Sequence, residues 1–440
     1  MDSFLTSVVA VTIVLGVMIL VHEWGHFVAA KWFGVRVDVF SIGFGPRLWG
    51  WKRGDTDYRL SALPLGGYVK MAGDNPLEER SGSSDEFLSK TRWQRVVIAV
   101  AGPIMNVLLT LFIFWGIFWL VGVPFPAYLK KPAEIGAVSK QAAENGFKAG
   151  DRITAVNGVE TPTWGDVSAQ LEHEHPGAKV DVTVARDGKA VKLLVEIPEQ
   201  PGTVNFLGYP NAPAVVEDVM ASSPAAKAGI KAGDAIVAID GRPIASFEQL
   251  VDEVHDSDGR PFQLTIQRKR QDLSVQIKPM QGTDPISNEK VWQIGVRRHV
   301  DELHEREGFL KAAKDSGQAT VSGTRQIVDV MGGLLSGRVS LHQLMGPVGI
   351  ARVSGEAAKQ GASDLIELMA VISLNLGLLN LLPIPILDGG HVLMLAIEGV
   401  LRRDLSVAVK ERFVQVGLVF LLGIFAFVMY SDILRIIQSH

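Results

Sequence analysis

Apolar positions crowd both ends of the chain, while its middle has the polar and turn content of a soluble protein. A helix needs about 20 mostly apolar residues to cross a bilayer. Four stretches qualify, at roughly 4–29, 96–123, 366–387 and 413–430. The first is not a cleavable signal peptide: it lacks a basic leader and a small-x-small cleavage site, and it runs into His22-Glu23. The second is nearly charge-free, and the third is interrupted by Asn375, Asn380, Pro383 and Pro385. Between the second and third, the pattern changes to an alternation of period two at Val180–Ala185 and Phe262–Gln267, which predicts strands.

The middle also repeats itself. Gly146-Phe-Lys-Ala-Gly150-Asp151-Arg-Ile-Thr-Ala-Val-Asn157-Gly158 recurs as Gly229-Ile-Lys-Ala-Gly233-Asp234-Ala-Ile-Val-Ala-Ile-Asp240-Gly241. Each copy reads as a turn, a short apolar strand and an Asn-Gly or Asp-Gly turn, followed by a polar helical stretch and alternating strands. The period is too long for a solenoid, so each copy is a small domain, expected at 124–200 and 201–282. The pattern resembles PDZ domains, here as a tandem pair. A connector follows at 283–365, amphipathic at Phe309-Leu310, Val328–Met331 and Leu334-Leu335. It lies on the membrane surface or is a solvated connector with helical pieces.

Charge orients the spans. The 31–95 loop carries eleven Lys/Arg, the 391–412 connector carries Arg402, Arg403, Lys410 and Arg412, and only Asp2 precedes the first span. Positive loops stay in the cytoplasm, so both termini and the 124–365 segment lie outside. The formal net charge of -4 on 440 residues gives no case for nucleic acid. With no cysteine, any metal is held by His and carboxylate, and thiolate zinc sites are excluded.

The candidate chemistry begins at His22-Glu23-Trp24-Gly25-His26, an H-E-x-x-H motif. On a helix, positions i and i+4 share a face, so both imidazoles can hold one Zn2+ while Glu23 takes a proton from water. From Phe4 to His22 is about 27 Å of helix, which puts the motif towards the cytoplasmic side of the bilayer. Three ionisable groups at that depth are costly unless liganded or solvated in a cavity. Two histidines leave zinc short of a third protein ligand, and Glu23 cannot fill both roles. The other conspicuous cluster is Asn380-Leu-Leu-Pro383-Ile-Pro385-Ile-Leu-Asp388-Gly389-Gly390. Two prolines forbid a regular helix, and irregular backbone at membrane depth lines a cavity or is buried in protein. Asp388 is the natural ligand there, with His391 as competitor; a helix-terminating turn with a solvated aspartate is the plainer alternative.

H-E-x-x-H in the first span, N-x-x-P-x-P-x-L-D-G in the third and a PDZ pair between spans together resemble the site-2 protease family of intramembrane metalloproteases. The resemblance covers essentially the whole chain. It implies a polytopic α-helical membrane protein with four transmembrane helices, two inserted PDZ domains and a membrane re-entrant β-hairpin. It also implies one Zn2+ per chain on His22, His26 and Asp388, with Glu23 as general base and Asn380, Pro383 and Pro385 shaping the substrate wall. Gly102-Pro103-Ile-Met-Asn106 matches a family motif in the second span, and Tyr58–Met71, with Gly66, Gly67 and Tyr68, matches the hairpin. An exposed strand edge there pairs with an extended substrate. The implied partners are membrane lipid and a single-span membrane protein of the anti-sigma-factor type, already shortened by another protease, or a remnant signal peptide. The implied location is a bacterial inner membrane. Two other functions compete: a membrane metalloprotease of soluble or unfolded segments, and a non-catalytic PDZ scaffold with structural zinc.

Overall fold

The computed structural model describes residues 2–74, 82–172, 174–198, 204–220, 222–283, 290–339 and 345–438. It divides into two compact units, one built from Met1–Val123 with Glu305–Gln438, the other from Pro124–His304.

The first unit is helical. Its helices are α1 (Asp2–Trp32), α2 (Arg92–Gly116, continued by a π-turn at Ile117–Val121), α3 (Phe309–Leu335), α4 (Pro347–Gln360), α5 (Ala362–Asn380), α6 (Asp388–Leu401) and α7 (Val407–Gln438). Four segments are long and apolar enough to cross a membrane: Phe4–Trp32, Arg92–Val121, Ala362–Asn380 and Val407–Leu434. Val14 and Met18 of α1 pack on Met369 of α5 with Leu109 and Ile113 of α2. Without a hydrophobic drive between helices in lipid, small residues and buried hydrogen bonds hold such bundles together. Both devices join α2 to α5. Thr110 donates to the Ala370 carbonyl at 2.9 Å and Ser373 to that of Asn106 at 2.9 Å. Gly377 lets the backbones approach until a Cβ there would lie 2.9 Å from the Pro103 carbonyl oxygen.

Two expectations shift. The third apolar helix ends at Asn380, and the stretch expected as a connector from 391 to 412 is half α6, with the start of α7 at its far end. Pro383 and Pro385 break the chain, but the apolar run resumes behind them with helical spacing. The far end of α6 is anchored by Glu398, buried between Lys410 of α7 at 2.7 Å and Arg95 of α2 at 3.9 Å. The helical pieces of the connector, α3 and α4, pack against the helices before them. Trp115 of α2 donates to the Phe309 carbonyl at the start of α3 at 3.2 Å, and Gly355 of α4 packs directly on Ser7 of α1.

After α1 come two long strands, β1 (Val37–Arg53) and β2 (Thr56–Met71). Their pairing differs from the hairpin expected within Tyr58–Met71. Residues 39–42 of β1 are flanked on one side by Gly67–Lys70 and on the other by Asp57–Leu60, while Arg47–Arg53 pairs with Thr56–Ser61. The two halves of β2 therefore sit on opposite sides of β1 rather than against each other. Gly67 permits this, since a Cβ there would lie 2.6 Å from the Ser41 carbonyl oxygen.

The second unit holds two β-rich modules. The first has a sheet ordered Val159–Glu160, Arg152–Val156, Lys179–Arg186, Lys189–Glu196. Its alternating Val180, Val182 and Val184 are fully buried against Trp164 and Val167 of a short helix. The second is ordered Gln271–Ile277, Phe262–Arg268, Ala235–Ile239, Ala214–Val219, Val296–Arg298. Its Leu264 and Ile266 pack with Leu250 and Val254 in the same way. Ile135–Ala137 pairs with Tyr209–Pro210, so the first module runs past 200, a boundary that itself falls outside the described residues, and the second runs past 282.

Each repeat motif builds the same buried ion pair. Arg186 grips Asp151 at 2.6 Å and donates to the Gly146 carbonyl at 2.7 Å, while the Lys148 amide donates to Asp151 at 2.8 Å. In the second copy Arg268 grips Asp234 at 2.7 Å and donates to Gly229, and the Lys231 amide donates to Asp234. Burial pushes Asp151 up, but Arg186 and the Lys148 amide outweigh it and hold it below the ordinary carboxylate range. The Arg268 guanidinium holds Asp234 there too.

Candidate active site

His22 and His26 stand one turn apart on α1 with edge-to-face rings, both nearly buried. The space for them is made by α2, which passes very close. A Cβ on Gly25 would meet the Ala101 carbonyl oxygen at 2.4 Å, and one on Gly102 would meet His26 Nε2 at 2.3 Å and His22 Cε1 at 2.9 Å. Gly102 is thus the cradle of both imidazoles.

Asp388 arrives from the other side of the chain. Behind Asn380 the backbone leaves the helix, with Ile386 at a φ of 82°, a strained value for a β-branched residue. The chain then turns back so tightly that a Cβ on Gly389 would lie 2.2 Å from the Leu382 carbonyl oxygen, and one on Gly390 2.3 Å from that of Ile384. Only glycines fit after Asp388, and the turn aims its carboxylate at the histidines. Asp388 Oδ2 lies 3.1 Å from His22 Nε2, and Oδ1 lies 3.5 Å from His26 Nε2. The two Nε2 atoms are 3.2 Å apart.

The outer nitrogens are held as well. His26 Nδ1–H donates to the Ile98 carbonyl at 2.8 Å, which leaves the Nε2 lone pair turned to the cluster. His22 Nδ1 lies 3.3 Å from the Asn106 carboxamide, whose buried oxygen has no hydrogen-bond partner among the described residues. Asn380, the last residue of α5, puts its amide 3.4 Å from His22 Nε2. Glu23 turns to β2, where the Val69 amide donates to its Oε2 at 3.1 Å.

A cavity of about 400 Å³ opens on this cluster, lined by His22, Glu23, His26, Asn380 and Asp388 among others. His391 lines it too, but stands outside the group of three whose donor atoms lie within 4.8 Å of one another. Pro383 and Pro385 do not line it; Pro385 packs against Gly417 of α7. Gly66 and Gly67 are buried in the β1–β2 contact, and Tyr68 stacks on Phe44 at 6.0 Å. Ile98, Gly102 and Asn106 enter the site from α2. Only the Gly-Pro-x-x-Asn pattern hinted at that, and nothing in it marks the Ile98 carbonyl.

Two imidazoles and a carboxylate that converge from buried positions, with an outer ring nitrogen already hydrogen-bonded, suit the borderline, four-coordinate preference of zinc and leave a position open. The donor set fits that ion.

The comparisons agree with the geometry. The chain belongs to peptidase family M50, whose sequence profile matches residues 10–424. It is a zinc metalloprotease and a multi-pass membrane protein. It is similar to the regulator of sigma-E protease RseP of Escherichia coli, 34% identical over 99% of this chain and 100% of that one. The regulator of sigma E protease of Salmonella typhi is 35% identical, and protease RseP of Yersinia pestis 34%, with the same coverage. Among solved structures, the PDZ domain of an SdrC-like protein from Listeria innocua aligns with 22% of this chain and all of its own, at 24% identity and a TM-score of 0.18, a likeness too small to carry weight.

Proposed function

We propose that this protein cuts single-span membrane proteins within the bilayer, with zinc on His22, His26 and Asp388 and with Glu23 as general base. The observation that carries the reading is the convergence of those three donors on membrane-spanning or adjoining segments, with Glu23 beside them. Bound zinc supplies a Lewis acid that polarises the scissile carbonyl and acidifies water. Glu23 takes the proton of the attacking water and returns it to the departing amide nitrogen. Asn380 and the backbone of 67–71 steady the substrate at the cavity wall, while Pro383 and Pro385 act through the shape of the segment that delivers Asp388. A helical substrate must unwind first, because its carbonyls are locked in its own hydrogen bonds, and an unwound backbone in lipid needs another partner. Strand addition to β2 supplies that partner.

The cytoplasmic loops, by their positive charge, set the site towards the cytoplasmic side of a bacterial inner membrane, with both termini and the 124–304 segment periplasmic. The two modules of that segment are read as PDZ domains, on the repeated G-x-x-x-G-D pattern and their like strand orders. Their role is to decide which substrates gain access: partners with a folded outer domain are excluded, and those already shortened are admitted. Sigma-E in the names of the relatives supports an anti-sigma factor as substrate, and remnant signal peptides have the same single-span form. Deleting 127–280 is expected to release cleavage of uncut substrates; loss of all cleavage favours peptide capture instead. A capture test by substitution cannot use Ile230 or Ile236, which lie in the module's core rather than in a groove. The test of the main reading is co-expression with candidate single-span proteins, comparing the natural chain with Glu23→Gln. Equal cleavage by both sinks it.

A further inference from the structure

The open edge of β2 is not bare. Among the described residues, Gly67–Lys70 has a strand partner on one side, β1, and Phe40 is the partner of Val69 in that pairing. In an antiparallel ladder the N–H and C=O of one residue point to the same side, and residues two apart point alike. Val69 gives its N–H to Glu23 and not to β1, so Val69 faces the cavity, and Met71 is the next residue in that series. Both amides are taken by carboxylates. Val69 donates to Glu23 Oε2 at 3.1 Å and Met71 to Asp74 Oδ2 at 3.0 Å. The two acids come from unrelated places, one from α1 and one from the turn after β2. Both line the same cavity of about 400 Å³ beside His22, His26 and Asp388.

A free strand edge is a row of unpaired donors and acceptors, ready to template another chain. Here two donors of residues that line the metal-ligand cavity already hold oxygens at hydrogen-bond distance, where the carbonyls of an added strand would lie. Resting on the protease reading above, we propose that Glu23 and Asp74 occupy the β2 edge in place of substrate, so that strand addition must displace both. The two displacements differ in consequence. Moving Glu23 off Val69 releases the oxygen that must accept the water proton, which ties readiness of the base to correct seating of the substrate backbone. Moving Asp74 off Met71 releases nothing the chemistry uses. Asp74 is a competitor of the substrate and sets how well an extended segment must pair before it is held. Hydrogen bonds to a carboxylate are stronger than those to a neutral carbonyl, so weakly pairing segments lose the contest.

The test uses the full-length chain in lipid vesicles with a labelled single-span peptide, comparing the natural protein with Asp74→Ala and Asp74→Asn. Asp74→Ala is expected to lower KM about three- to ten-fold, the order of one charge-assisted hydrogen bond, with kcat changed less than about twofold. Asp74→Asn should fall between, since its amide oxygen still accepts but carries no charge. Binding without turnover is read separately. The chain has no cysteine, so one placed at Lys70 can form a disulfide with single cysteines along an uncleaved peptide in the Glu23→Gln background. Adding Asp74→Ala should bring capture to lower peptide concentration, with a two-residue periodicity along the peptide. An unchanged or raised KM overturns the proposal. So does weaker capture together with a lower melting temperature, the outcome for a carboxylate that merely caps the turn. Better capture with no cleavage by the natural chain would keep the edge proposal and remove the protease reading.

Discussion

Asp151 and Asp234 face guanidinium groups within their own modules, whereas Asp388 faces two imidazoles drawn from another helix. In the module pairs each aspartate receives an arginine and a backbone amide, and the same arginine also donates to a glycine carbonyl. At Asp388 the donor atoms of three residues converge on one another with imidazoles in place of a guanidinium, and the neighbouring buried Asn106 oxygen has no hydrogen-bond partner among the described residues. A buried acid that completes its own partners holds a fold together. Buried acids and imidazoles that share a centre are arranged for something that arrives from outside.

The strongest way to break that contrast is to remove donors on each side. Asp388→Ala is expected to lose zinc and to reduce cleavage by at least about a thousand-fold, while His391→Ala keeps both. Metal analysis of the two purified variants decides it, and the reverse pattern would make His391 the ligand. Asp234→Ala should leave zinc content unchanged and destabilise its module, because it removes the acceptor of both Arg268 and the Lys231 amide. Hydrogen exchange in Ala235–Ile239 measures that loss, and an effect on zinc would erase the distinction.

Gly102→Ala sharpens the comparison from the packing side. Its methyl group must push His26 away, and zinc affinity should fall about 10- to 100-fold with little loss of thermal stability. Competition with a chelator reads that change. The smallest effect is in pH. Asp234 sits below its ordinary range when folded, so its pairing stabilises fully above the unfolded value near 4 and is lost as pH falls through the folded value. The stability gap between the natural chain and Asp234→Asn should therefore shrink below about pH 4. A gap that widens on acidification would mean that the pair does not hold the charge.

Local features were legible in the chain because short-range geometry decides them. Four-residue spacing puts His22 and His26 on one helical face whatever surrounds them, and the alternation at Val180–Val184 places those valines inside. Features that depend on distant backbone were not legible. Nothing in β1 or β2 alone says that residues 39–42 will be gripped from both sides by halves of the same strand, since either alternation permits a simple hairpin. Gly102 looked like half of a Gly-Pro pair, and its use as room for two imidazoles exists only once α2 lies on α1. The prolines showed that the third span breaks, but not that a new helix begins at Asp388, because Gly389 and Gly390 look like a stop until the tight return of Leu381–Pro385 is seen.

The central claim is that His22, His26 and Asp388 hold zinc for a reaction in which Glu23 moves the proton. It is tested most directly by measuring zinc content and cleavage together in Glu23→Gln. Glutamine preserves the side chain's shape and still accepts from Val69, but it cannot take a proton from water. The account predicts about one zinc per chain with cleavage lost. Cleavage at the natural rate with zinc in place, or a chain that no longer holds zinc, would contradict it.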